Sequence, residues 1–139
     1  MAAASLYGVS DFKKLIVWEK AHTLAVSVHR LGTAIRHSQH SSLRNQMIRA
    51  SASIPTNIVE GSRQSSSREF ARFLRYALNS ASELEYHLIL ARDTGATPEA
   101  KTSALIEDVT IRKMLHGLLR RITTARQSDG SPSPVSAPV

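Results

Sequence analysis

The sequence contains no cysteine, which excludes a disulfide framework and a metal site built on thiolates. It also has no uninterrupted apolar stretch close to the roughly 20 residues that a membrane-spanning helix needs. The first residues lack the basic segment and the long apolar core of a secretory signal. We therefore expect a soluble cytoplasmic protein that is held together by side-chain packing and has no membrane partner.

Catalytic and cofactor motifs are missing as well. No glycine-rich phosphate loop, nucleophile elbow or paired-carboxylate pattern occurs, and none of the many serines has a base that the sequence places beside it. His37 and His40 have a spacing that suits a metal ion, but no third ligand lies next to them in the sequence. The sequence predicts a protein that is not an enzyme and that uses no cofactor or metal.

Acidic residues are in the minority. Lysine and arginine number 18 against 11 aspartates and glutamates, so the formal net charge is +7. Most of the bases are arginine, which contacts phosphate in a planar, bidentate way that lysine cannot match. Polyanions are therefore the first partners to consider, and the alternative is that the positive charge serves only solubility.

Apolar residues recur at helical spacing in four segments, and no strand-like alternation extends beyond a few residues. The four apolar faces are Ala21, Leu24, Ala25, Val28, Leu31 and Ile35; Leu43, Met47, Ala50, Ile54 and Ile58; Phe70, Phe73, Leu74, Ala77, Leu78, Ala81, Leu84 and Leu88; and Ala104, Leu105, Ile111, Leu115, Leu118, Leu119 and Ile122. This pattern predicts an all-α, up-down four-helix bundle over residues 17–126. Residues 1–16 form an N-terminal arm, and the Ser/Pro-rich tail 127–139 is expected to be disordered.

Several residues suggest where the helices begin and end. The first helix is expected from Trp18 to near Ser38. The second begins at Ser41 or Ser42 and ends at Gly61 in a left-handed turn. Ser66 and Glu69 have the spacing of a capping box for the third helix, which Gly95 ends, and Thr97 with Pro98 begins the fourth.

Pro55 falls inside the apolar pattern of the second helix, which continues on both sides of it. This favours one kinked helix over two helices and a loop. Because proline leaves the carbonyl of Ser51 without its usual donor, we expect a nearby side chain such as Asn57, or a water, to help satisfy it if the segment is buried. Glu60 near the helix end is expected to pair with an arginine. The segment is interpreted as structural, and the alternative is a ligand pocket at the kink lined by Gln46, Asn57 and Glu60. The structural residues are Arg49, Pro55, Asn57, Glu60 and Gly61.

The third helix carries arginine on the face opposite its apolar stripe. Arg68, Arg72 and Arg75 lie about 140–200° from Phe70 at roughly 100° per residue, and Glu69 points elsewhere on this projection. Such like charges repel unless a partner relieves them. Arg63 and Tyr86 extend the patch, which fits phosphate contacts and one ring that stacks on a base or contacts a sugar. The alternatives are a solvated face and a protein or self-association surface.

A second basic group lies towards the end of the fourth helix and consists of Lys113, Arg120, Arg121 and Arg126. Bases there also complement the helix dipole, so this group has a structural explanation besides nucleic-acid binding, for which Arg120 and Arg121 are the candidates. Asp108 lies within the apolar face, one turn before Arg112. It is expected to form either an ion pair with Arg112 along the helix or a bridge to another helix or subunit.

Taken together, these residues resemble a known family. The residues that carry the resemblance are Trp18, Ala21, Leu43, Gln46, Arg49, Ala50, Ser53, Ile54, Pro55, Asn57, Ile58, Glu60, Gly61, Phe73, Leu74, Ala77, Ser80, Glu83, Leu84 and Leu88. They look like the four-helix-bundle proteins encoded in ribosomal RNA intervening sequences, to which the accessory variability proteins of diversity-generating retroelements are related. The match extends from about Phe12 to Ile122, and its specific part surrounds Pro55. Val59 departs from the pattern, which usually has alanine before Glu-Gly.

The resemblance implies a basic bundle without catalytic activity that assembles as a ring-shaped homopentamer. It implies nucleic acid as a partner, RNA rather than DNA, and a reverse transcriptase as a partner if the chain belongs to the retroelement branch. The leading hypothesis is a non-enzymatic, oligomeric helical bundle that binds RNA or another nucleic acid mainly through phosphate contacts. The alternative is a protein-interaction scaffold or an accessory subunit of a reverse transcriptase.

Overall fold

The computed structural model describes residues 12–128, and this part of the chain is all-α, without a strand. Its helices are α1 (Ile16–Thr33), α2 (Ser41–Ser62), α3 (Ser67–Asp93), α4 (Glu99–Asp108) and α5 (Ile111–Ser128). Single 3₁₀ turns, Phe12–Lys14 and Ser38–His40, precede α1 and α2. The predicted helical bundle is confirmed. Most of the predicted arm (residues 1–11) and of the tail (residues 129–139) lies outside the described residues.

The core is built from the predicted apolar faces. The largest fully buried side chains include Met47, Ile54, Ile58, Phe70, Leu74, Leu84, Leu88, Leu115 and Ile122. The exception is Ala104, which is exposed because α4 is a separate short helix whose buried residue is Thr102. Helices α2 and α3 pack along their lengths, and α3 also packs against α4 and α5. Helix α3 is therefore the central element of the bundle.

Helix α1 begins at Ile16 and ends at Thr33, five residues before the predicted end near Ser38. Its last turn is closed by Ile35, whose amide donates to the carbonyl of Gly32 at 3.0 Å. Ile35 is still buried, at 5% exposure, although the helix has already ended. The 3₁₀ turn Ser38–His40 then leads directly into α2.

Helix α2 continues through Pro55 without a break, so the prediction of one helix is confirmed. The polar residues around the proline tie α2 to α3. The Asn57 amide donates to the carbonyl and to the hydroxyl of Ser53 at 2.8 and 3.0 Å, and the Ser53 hydroxyl lies 2.8 Å from that of Ser80 on α3. The expected help from Asn57 to the Ser51 carbonyl is wrong, because its amide bonds one turn back, to Ser53.

The prediction of a left-handed turn at Gly61 is also wrong. Gly61 is helical and buried. The end of α2 is closed by the Arg63 amide, which donates to the carbonyl of Glu60 at 3.3 Å, and by the Gln64 amide, which donates to that of Gly61 at 3.2 Å. Close packing explains the glycine. A Cβ atom at position 61 would lie 2.8 Å from Phe70 Cδ2 and 2.9 Å from Phe73 Cβ, so only glycine lets α2 approach α3 this closely.

The other polar residues of α2 do not converge on a pocket. Gln46 donates to Ser42, Asn57 donates to Ser53, and Glu60 is exposed. The alternative of a ligand site formed by Gln46, Asn57 and Glu60 is therefore wrong. The expected pairing of Glu60 with an arginine is wrong as well, because its carboxylate forms no ion pair with any residue that the structure describes.

The predicted ends of α3 are confirmed. The Ser66 hydroxyl accepts a hydrogen bond from the Glu69 amide at 3.2 Å, which satisfies one free donor of the first turn. Glu69 itself does not complete the reciprocal box, because its carboxylate binds Arg72 instead. At the other end Gly95 has a φ of 76°, a left-handed conformation that glycine adopts at little cost.

The predicted fourth helix is divided into α4 and α5 by Val109 and Thr110. Val109 and Ile111 are both buried, at 1% and 3% exposure. In a continuous helix these two residues would lie about 200° apart, so both could not face the core. The turn between the helices lets both pack inwards. Helix α4 begins after Pro98, one residue later than the cap at Thr97 predicts.

The break also changes the surroundings of Asp108. This residue ends α4 with an exposed side chain, and no ion pair joins it to Arg112. Arg112 instead binds Glu85 of α3. Both expected partnerships of Asp108 within the chain are therefore wrong.

Candidate nucleic-acid interface

The three arginines of the predicted α3 stripe, Arg68, Arg72 and Arg75, are exposed, but their surroundings differ. Arg72 binds the Glu69 carboxylate through Nη2 at 2.8 Å and through Nε at 3.1 Å, and it donates to the Tyr76 hydroxyl at 3.3 Å. The hydrogen bond and the charge of Glu69 raise the pKa of Arg72. The expectation that Glu69 points elsewhere is wrong, because both long side chains bend across one turn of helix. Arg72 is thus the locally compensated member of the stripe.

Arg75 faces a different way, into an open groove between α3 and α5. The residues that line this groove are Arg75, Leu78, Asn79 and Ser82 of α3 and Arg112, Lys113 and His116 of α5. Its volume is about 580 Å³. We refer to these seven residues as the α3–α5 groove. It brings the first predicted basic group, through Arg75, together with the second, through Lys113.

One wall of the groove is held by an ion pair between the two helices. Arg112 Nη2 lies 2.6 Å from Glu85 Oε2, and Arg112 Nη1 lies 3.5 Å from the Ser82 hydroxyl. Both charged side chains are only about a third exposed, at 38% and 29%. This pair joins α5 to α3, and its charges compensate each other.

The other bases of the groove have no acidic partner. Among the side chains that the structure describes, neither Arg75 nor Lys113 forms an ion pair with an acidic residue, so their charges are uncompensated. Arg120 follows Lys113 by seven residues, which places it on the same exposed side of α5. These three side chains give the outer surface of α3 and α5 an excess of positive charge.

The remaining predicted residues lie at the margins of this surface or away from it. Arg63 caps α2, and Arg68 lies in the first turn of α3; both are exposed. Tyr86 is 60% exposed and lies one turn beyond Ser82. Arg121 lines a separate cleft between α1 and α5, so the structure does not bring it to the groove. The side chain of Arg126 lies outside the described residues.

Sequence reasoning missed Arg112 and His116 as part of this surface. Their positions in the sequence could have indicated this role. The two residues lie one turn apart beside the apolar face of α5, on the side that an antiparallel α3 would cover. Recognising it required knowing which neighbour α5 packs against. The sequence alone predicts for Arg112 only a pairing with Asp108.

Two further observations concern metals and membranes. Within residues 12–128, no three histidine, aspartate or glutamate side chains lie close enough together to hold a metal ion. His40 is the residue immediately before α2, and its ring nitrogen lies 3.5 Å from the Gln39 amide. No helix in the described part of the chain is long and apolar enough to cross a membrane.

The fold and this surface define a small α-helical bundle with a basic outer face on α3 and α5. Residues 13–117 match the model of the 23S rRNA-intervening sequence proteins, and the chain belongs to that family. The family resemblance predicted from the sequence is thus confirmed at this level. None of the curated proteins compared with the chain matches it significantly.

A solved structure supports the same placement. The chain is similar to a protein of unknown function from the S23 ribosomal protein family of Bacteroides thetaiotaomicron VPI-5482, with 28% sequence identity and a TM-score of 0.70. The similarity covers 75% of this chain and 98% of that protein. The descriptions of the family and of that protein mention no reverse transcriptase, retroelement or pentamer. A link of this chain to any of the three is therefore still a prediction.

Proposed function

We propose that this protein is a non-enzymatic RNA-binding bundle that contacts phosphates through the outer face of α3 and α5. The observation that carries the proposal is the meeting of Arg75 and Lys113 at one groove without an acidic partner. The repulsion between uncompensated charges of one sign on the same surface is relieved by a polyanion. The family description refers to 23S rRNA, which makes RNA the polyanion to test first.

Binding of this kind is dominated by counterion release, so its affinity falls with salt. Each phosphate contact contributes about 0.7 to 0.9 to the slope of log affinity against log salt. Arg75, Lys113 and Arg120 together should therefore account for a slope of about 2. Specificity for base sequence should be low, because phosphate contacts carry no sequence information.

The test measures RNA affinity across a series of salt concentrations for the wild type and two matched triple variants. The first carries Arg75→Gln, Lys113→Gln and Arg120→Gln. The second carries Arg30→Gln, Arg36→Gln and Arg49→Gln, which removes the same charge from exposed positions on other parts of the surface. We expect the slope to fall by about 2 in the first variant and to change little in the second. Equal losses in both variants would show that only net charge matters.

Arg72→Gln provides a single-residue control within the predicted stripe. Because Glu69 already compensates Arg72, its removal should leave the salt slope nearly unchanged. A slope that falls as much for Arg72→Gln as for Arg75→Gln would place the binding surface on the predicted α3 stripe instead of the α3–α5 groove. Treatment with nuclease before a pull-down separates RNA from an acidic protein partner, because only the latter is retained.

We further propose that the protein acts as a homo-oligomer, a ring of five copies. The support for this step is the family resemblance of the Pro55 segment. Several copies of one weak basic groove would act on the same RNA at high effective concentration. The ring would thus give a modest surface a high affinity for long RNA.

A further inference from the structure

Tyr86 is the aromatic side chain of α3 that the fold leaves unused. It is 60% exposed, its hydroxyl forms no hydrogen bond with a described residue, and its nearest ring is that of His87, 6.1 Å away and tilted by 51°. Tyr76 differs: its hydroxyl accepts a bond from Arg72, and its ring meets Phe73 edge-on at 5.7 Å. Tyr86 thus offers a free flat face to the solvent.

Its position relates this ring to the α3–α5 groove. Tyr86 follows Ser82 by four residues, which is one helical turn or about 6 Å along α3. It also lies on the same side of the helix as Asn79 and Arg75, within about 20° of each at roughly 100° per residue. Tyr86 therefore lies on the groove side of α3, about one turn beyond Ser82, which lines the groove. Arg75 lies further along the same side of the helix.

The groove itself is too narrow for a double helix. Packed helices have their axes about 8–10 Å apart, and the groove is the recess between two of them. A nucleic-acid duplex is wider than its own major groove, which is about 12 Å across in B-form DNA. A single strand fits this width, and it can place its phosphates against Arg75 and Lys113 while Leu78 offers an apolar surface to a sugar or base.

We propose that the α3–α5 groove takes single-stranded RNA and that one unpaired base stacks on Tyr86. The inference rests on the proposed RNA binding and names the form of RNA that is bound. Stacking on an exposed aromatic ring is available to every base, so it adds affinity without sequence preference. Base stacking also distinguishes this site from a basic patch that contacts only the phosphate backbone of a duplex.

The experiment measures fluorescence anisotropy of a labelled single-stranded RNA of about 12 nucleotides and of the same RNA annealed to its complement. With the full-length chain at one salt concentration, we expect the single strand to bind at least about tenfold more tightly than the duplex. Duplex binding as tight as single-strand binding overturns the inference and leaves the proposed function standing. Absence of binding to either RNA overturns both.

Substitution of Tyr86 provides a second, independent test. Tyr86→Ala should weaken single-strand binding by about 5- to 150-fold, the equivalent of 1–3 kcal/mol for one stacked base, and should leave duplex binding unchanged. Tyr86→Phe keeps the stacking face and should retain wild-type affinity. Tyr76→Ala is the matched control and should not change binding. Wild-type affinity in Tyr86→Ala, with an unchanged circular dichroism spectrum, would contradict the proposed role of the ring.

Discussion

Gly61 illustrates how one residue can be needed for a reason other than backbone freedom. It lies inside α2, where glycine costs about 0.5–1 kcal/mol relative to alanine. The cost is accepted because the backbone at this position packs against Phe70 and Phe73 of the neighbouring helix. The glycine in the Pro55 segment therefore sets the distance between α2 and α3.

We predict that Gly61→Ala destabilises the protein by about 1–3 kcal/mol, because the added methyl group overlaps the Phe70 ring and Phe73 Cβ. Gly117→Ala is the matched control. A Cβ at position 117 meets nothing closer than Arg120 Nη2 at 4.0 Å, so that substitution should stabilise α5 by about 0.5–1 kcal/mol. Urea denaturation followed by circular dichroism measures both changes. A Gly61→Ala protein that gains stability like Gly117→Ala would contradict the packing argument.

At the scale of the helix, the sequence predicts α2 and α3 well and the fourth segment poorly. The apolar pattern through Pro55 and the stripe from Phe70 to Leu88 each repeat without interruption. A single helical wheel therefore places the apolar residues of each helix on one face. The fourth segment fails because Val109 and Ile111 both become buried, which no single wheel allows. The segment packs on both α3 and α1, and a single sequence does not reveal which neighbours surround it.

The start of α3 gives a prediction for a single element. Ser66→Ala removes the acceptor of the Glu69 amide and should lower the free energy of unfolding by about 1 kcal/mol. Ser65→Ala is the control, because Ser65 is exposed and precedes the cap. Thermal unfolding of the two variants should show a lower midpoint for Ser66→Ala alone. Equal midpoints would mean that the cap contributes nothing at this helix end.

For the molecule as a whole, the candidate site depends on two helices that are distant in the sequence. The wheel of α3 identified Arg68, Arg72 and Arg75 as equivalent, and only the packed structure separates them. Arg72 is compensated by Glu69, whereas Arg75 lines the same groove as Lys113. The sequence thus predicts which residue types form the surface, whereas the packing of α5 on α3 decides which of them act together.

The proposed ring can be distinguished from a single copy of the chain by its mass and by how its affinity depends on RNA length. Static light scattering should give about 76 kDa for five copies of the 15.2 kDa chain. A short RNA that fills one groove cannot exploit the ring, whereas an RNA of roughly 60 nucleotides reaches several grooves and should bind about 10²–10⁴-fold more tightly. For a monomer, the longer RNA increases the affinity only by a small statistical factor, because it offers more positions at which one groove can bind. A scattering mass of one chain, together with affinities that differ only in proportion to RNA length, would therefore remove the ring while leaving RNA binding by the single groove intact.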